Sequence, residues 1–159
     1  MLCVSVTYKT GNVLDAKTDA LLVAVDGDNR KLIGAVGQQL ASRIDDSRDW
    51  EQILAKADYP IAPGCVRVVD LEEYPEVGFK FVIFACMFNH NNKELYLENA
   101  YSNALGTGSN WGVRSLATVL YRGGWRGTVE LATAALERAV LRVPEVQVEV
   151  WERATSSSA

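Results

Sequence analysis

Two apolar runs, "ALLVAV" (20–25) and "KFVIFACMF" (80–88), the second unbroken after its Lys80, constrain this chain more than any other feature. A strand wetted on one face alternates apolar and polar residues; these two do not. Each run is short and β-compatible, so both read as strands covered on both faces, the environment of a sheet buried between helices. "CVRVVD" (65–70) and "RSLATVL" (114–120) read similarly, and the alternating "LCVSVTY" (2–8) and "VQVEVW" (146–151) bring the predicted strands to six. Helix patterns fall between them. "GAVGQQLASRI" (34–44) and "SRDWEQILAKA" (47–57) come first. Leu97, Ala100, Tyr101, Ala104 and Leu105 then recur at helical spacing, with Gly106 as a predicted stop and Asn91 or Asn92 as a predicted cap. Thr128 is the predicted N-cap of a last helix running to about Leu141, with Glu130 in its first turn and Pro144 beyond its end. The resulting order, β-β-α-α-β-β-α-β-α-β, predicts a three-layer α/β/α sandwich around a mixed, mostly buried sheet of about six strands.

At 159 residues this is the size of one domain, predicted to span 1–153 and to end in a disordered tail, "ATSSSA" (154–159). No apolar run approaches the length of a membrane span, and the N-terminus lacks the basic start and apolar block of a signal peptide. Cys3, Cys65 and Cys86 are odd in number and lie in or beside strands, as expected of free thiols in a reducing, cytoplasmic compartment. A formal net charge of −4 argues against broad attraction to nucleic acid or membrane. One histidine and three scattered cysteines provide no metal set, and "DGDN" (26–29) lacks the offsets of a calcium loop. No cofactor is expected.

The chemistry concentrates at two strand-to-helix corners. "YRGGWRG" (121–127) places three glycines, two arginines and a tryptophan between the strand at 114–120 and the last helix. Glycines let backbone N–H groups converge on an anion, and the following helix adds its free N–H groups and positive dipole end. Arg122 and Arg126 supply charge, while Tyr121 and Trp125 are suited to cover a base or sugar. A turn carrying solvated arginines is the alternative, since neither established phosphate-loop pattern is matched. "VAVDGDNRKLIGAVGQQL" (23–40) likewise leaves a strand, crosses a polar loop and enters a helix. Two such loops can grip one diphosphate from both sides.

With both corners in view, the chain resembles a macro domain, the ADP-ribose-binding family, over roughly residues 4–152. "GNVLDAKTDALLVAVDGDN" (11–29) stands where the family has a G-D-[IV] turn and "vDaIVNAAN". "IGAVGQQL" (33–40) stands at its glycine-rich loop and helix, and "SLATVLYRGGWRG" (115–127) aligns without gaps to its second loop. The resemblance implies a diphosphate held by backbone N–H groups of Gly34, Ala35 and Val36 and of Gly123, Gly124 and Gly127. It places Asn12 and Val13 at the adenine end, and Trp125, Arg126 and Phe88 toward the ribose end. ADP-ribose or an ADP-ribosylated protein is the implied partner; nucleic acid is not expected, apart from poly(A) or poly(ADP-ribose). The departures are specific. The family's adenine-contacting Asp is Asn12, its ribose-binding Asn is Val23, its strand His is Phe84, and the carboxylate that activates water in one hydrolytic branch is Gly37. The resemblance therefore implies a binder whose hydrolase activity is lost or altered. The alternatives are a hydrolase working through Asp26 or Asp28, and an interaction module that takes no nucleotide.

Overall fold

The structure, a computed structural model, describes residues 6–30, 33–89, 91–122 and 128–153. Its centre is a six-stranded sheet: β1 (Val6–Thr10), β2 (Ala20–Val25), β3 (Val66–Asp70), β4 (Phe81–Cys86), β7 (Ser115–Thr118) and β8 (Gln147–Glu152). The spatial order is β1-β8-β7-β2-β4-β3. All neighbours run parallel except β3, which is antiparallel to β4 at one edge. A two-stranded ribbon, β5 (Phe88–Asn89) with β6 (Glu94–Leu95), lies apart from it.

The unbroken apolar runs follow from the two-sided burial. Successive side chains of a strand point to opposite faces. In β2, Leu21, Val23 and Val25 enter one core while Ala20 and Leu22 enter the other. In β4, Val82, Phe84 and Cys86 divide from Ile83 and Ala85 in the same way. Helices α1 (Gly34–Ser42) and α2 (Ser47–Lys56) close the first face through Leu40, Trp50, Ile53 and Leu54. Helices α3 (Leu97–Asn110) and α4 (Thr128–Arg142) close the second through Tyr101, Leu105, Ala135 and Leu136. This is the expected three-layer α/β arrangement. No helix among the described residues is long and apolar enough to cross a membrane.

Two local expectations are corrected. Gly106 does not end α3, which continues to Asn110. The helix stops instead at Gly112, whose φ of +94° is the left-handed turn that glycine tolerates. There Gly112 N–H donates to Ser109 O at 3.0 Å and Val113 N–H to Gly108 O at 2.9 Å, the paired bonds of a Schellman ending. Within the helix, Gly108 permits close packing on β4: a Cβ there would lie 3.2 Å from Ile83 Cδ1. Asn91 and Asn92 do not cap α3 either. Asn92 Oδ1 accepts from Glu94 N–H at 3.0 Å, which builds the β5–β6 turn, and α3 starts at Leu97 behind Tyr96. The predicted first strand and tail fall partly or wholly on residues 1–5 and 154–159, outside the described residues.

Candidate functional site

The parallel strands β2, β7 and β8 end on one side of the sheet, where chain leaving a strand must turn toward a helix. In open α/β sheets this rim is the usual ligand position. Two hollows of about 400 Å³ each open there. The first is lined by Asn12, Val13, Ala35, Val36, Gln39, Val119, Arg122 and Glu152, among others. The second is lined by Asp26, Ile33, Gly34, Gln38, Met87, Phe88 and Tyr121, with the end of β2.

The same two segments border both hollows. At the start of α1, Gly34 faces the second hollow while Ala35 and Val36 face the first. On the chain leaving β7, Tyr121 lines the second and Arg122 the first. The start of α1 and the exit from β7 therefore mark a seam between the two hollows. Of the predicted site residues, Asn12, Val13, Ala35, Val36 and Arg122 gather on one side of this seam, and Gly34, Phe88 and Asp26 on the other. Gly123, Gly124, Trp125, Arg126 and Gly127 lie outside the described residues, as does His90.

At the start of α1, Ile33 holds the N-cap position with no side-chain hydrogen bond, and the first turn contains no acidic residue. The first N–H groups of such a helix lack intrahelical partners and sit at the positive end of its dipole. Gly34 has a φ of +68°, a left-handed conformation that aims the chain into the helix. Arg122 adds a guanidinium at the first hollow and pairs with Glu152 at 3.2 Å. Tyr121 is tied from behind, its N–H donating to the buried Tyr101 hydroxyl at 3.3 Å.

Three of the departures, Val23, Phe84 and Gly37, have a visible physical setting. Val23 is 1% exposed in the core beneath α1 and α2, so no polar group is presented there. Phe84 is fully buried and meets the Trp50 ring edge-on, with centroids 6.3 Å apart. Gly37 is packed under Ile33, whose Cβ would lie 2.7 Å from a Cβ at position 37. Asp26 Oδ1 accepts from the N–H groups of Asp28 (2.9 Å) and Asn29 (3.2 Å), shaping the loop that leaves β2. The same loop presses against the next segment: Gly27 O accepts from Ile61 N–H at 2.8 Å, and a Cβ on Gly27 would collide with Ile61 O. Asp28 is exposed. Burial, reinforced by the Asp26 charge, pushes the Tyr59 hydroxyl up to about 12. Burial also raises the Cys86 thiol, although that thiol donates to Phe88 O at 3.4 Å. No cluster among the described residues could hold a metal ion.

Gln39, Glu152 and Arg153 escaped the sequence reading. Glu152 reaches the first hollow because β8 pairs with β1, bringing Gly11 N–H to Glu152 O at 2.8 Å. That pairing joins residues some 140 positions apart, and no local motif announces it.

No protein-family model and no curated protein matches this chain. Solved structures do match. The macrodomain of Mycobacterium tuberculosis DarG superposes with a TM-score of 0.73 at 20% identity, over 94% of this chain and 98% of that one. An Oceanobacillus iheyensis macrodomain with ADP gives 0.69 at 14% identity, over 95% and 84%. Thermosipho africanus DarTG in complex with ADP-ribose gives 0.66 at 13% identity, over 98% of this chain and 43% of that one.

Proposed function

The chain has the macrodomain fold, and from that premise we propose that it binds ADP-ribose or a related nucleotide diphosphate, free or attached to a protein. The observation that carries this reading is the uncapped start of α1 at the seam of two hollows. A diphosphate on that seam receives the amides of Gly34, Ala35 and Val36, and its two ends extend into separate hollows. Asn12 and Val13 meet the base, and Phe88 meets the distal ribose, with Trp125 and Arg126 assigned to the same end. The Gly123–Gly127 segment, outside the described residues, is assigned to the same diphosphate. Two of the structural neighbours carry ADP or ADP-ribose, which supports this ligand class.

Loss of the usual hydrolytic chemistry belongs to the same proposal. Gly37 offers no carboxylate, and Ile33 crowds the space that one would need. A cytoplasmic setting is also part of it, consistent with the free thiols of Cys65 and Cys86. Isothermal titration of the folded protein with ADP-ribose tests the reading; absence of heat at millimolar ligand removes it. Hydrolysis through Asp26 or Asp28 is a second reading, favoured by the position of Asp26 beside the second hollow. Release of ADP-ribose from a modified protein, abolished by Asp26→Asn or Asp28→Asn, would establish it.

A further inference from the structure

The base end of the first hollow has an unusual donor balance. Asn12 is the N-cap of a short 3-10 helix, Val13–Asp15, and its Oδ1 accepts from Leu14 N–H at 3.0 Å. Only the oxygen of a carboxamide can accept, so this bond fixes which way the amide faces. The other corner of the same plane is Nδ2, which donates and cannot accept. Val13 N–H would need an acceptor three residues back, outside the turn, so it is a second donor left over at a helix start. Asn12 and Val13 both line the hollow. Together they offer two neighbouring donors. An aspartate at position 12 would cap with one oxygen and present the other as an acceptor.

Adenine sets an amino donor beside a ring-nitrogen acceptor, so its amino group would face Asn12 Nδ2 donor against donor. A 6-oxopurine presents O6 and N7, two adjacent acceptors that paired donors read together. Glu152, the carboxylate in the same hollow, is engaged by Arg122 at 3.2 Å. We propose that the Asn12–Val13 end of the site selects a 6-oxopurine, hypoxanthine or guanine, over adenine. This rests on the nucleotide-diphosphate reading above and names the base that the site takes.

The experiment is a calorimetric comparison of ADP-ribose with its hypoxanthine counterpart, inosine diphosphate ribose, on the intact chain and on Asn12→Asp. The variant keeps the cap, because a carboxylate oxygen still accepts from Leu14 N–H, and an unchanged melting temperature verifies this. The unmodified chain is expected to bind the hypoxanthine ligand about tenfold tighter, the discrimination typical of one well-paired base edge. Asn12→Asp is expected to reverse the order. Equal or tighter binding of ADP-ribose by the unmodified chain, or a ratio unmoved by Asn12→Asp, overturns the base assignment and leaves diphosphate binding standing. Failure of both ligands to bind folded protein removes the two readings together.

Discussion

Helices α1 and α2 lie on the same face of the sheet and differ by one residue in length, yet they begin in opposite ways. Asp46 caps α2, its Oδ1 accepting from Arg48 N–H at 2.8 Å, with Asp49 in the first turn and Lys56 in the last. A side-chain cap and charges that complement the dipole at both ends are present. At α1 the cap position is given to Ile33, which is 6% exposed and packed in the core. Ile33 makes no side-chain cap bond, and the first turn holds no acidic residue. A chain able to build α2 could have capped α1 by the same means. The contrast singles out the start of α1 as the helix end on this face without a side-chain cap.

The largest expected effect comes from giving α1 what α2 has. Ala35→Glu places an acid in the exposed first turn of α1. It should stabilise the helix slightly while opposing any anion on the seam. ADP-ribose affinity is expected to fall at least tenfold, since like charges brought together across an interface cost several kcal/mol, with no fall in melting temperature. Unchanged affinity in titration calorimetry would remove the seam as the diphosphate site.

Next in size is the support behind the seam. Tyr101→Phe leaves Tyr121 N–H without its acceptor and should cost about 1–2 kcal/mol in denaturant unfolding. Burial pushes the Tyr101 hydroxyl up to about 12. A raised native value means that the unfolded chain loses this proton first. The contribution is therefore complete below the ordinary tyrosine value of about 10 and is lost as pH rises toward the native one. Tyr101→Phe should flatten part of the alkaline loss of stability, leaving the parts due to Tyr59 and the other tyrosines whose values are raised.

Asp46→Ala tests the other half of the comparison. It should lower the melting temperature and leave ligand affinity alone. Hydrogen bonds from the Arg48 side chain and then its N–H hold the Asp46 carboxyl below its usual value. A depressed native value contributes stability above the ordinary carboxylate range, lost as pH falls through the native value. Thermal melts of the unmodified protein should show this acid loss, and Asp46→Ala should lack it.

The smallest effects separate two helical glycines. Gly106→Ala meets nothing within 4 Å and should stabilise α3 by about 0.5–1 kcal/mol. Gly37→Ala in α1 should show no such gain, because its Cβ would press on Ile33. Equal gains at both positions would mean that the start of α1 yields easily and is not held by that packing.

The layers of this fold were legible because burial on both faces writes itself directly into β2 and β4 as unbroken apolar runs. Helical periodicity did the same for Leu97 to Leu105. The end of α3 was not legible, since Gly106, Gly108 and Gly112 look alike in sequence and only packing on Ile83 and the left-handed turn tell them apart. The candidate site divides in the same manner. The start of α1 and the exit from β7 could be read locally as strand-to-helix corners, as could the aspartates of the β2 exit. The seam that the two corners mark could not, nor could the arrival of Glu152 beside Asn12 or the use of Asn12 as a cap. Composition and period report which face of an element is buried, because that is a property of neighbouring residues. Which strand ends share a hollow depends on the order β1-β8-β7-β2-β4-β3, a long-range pairing that no short stretch of chain contains.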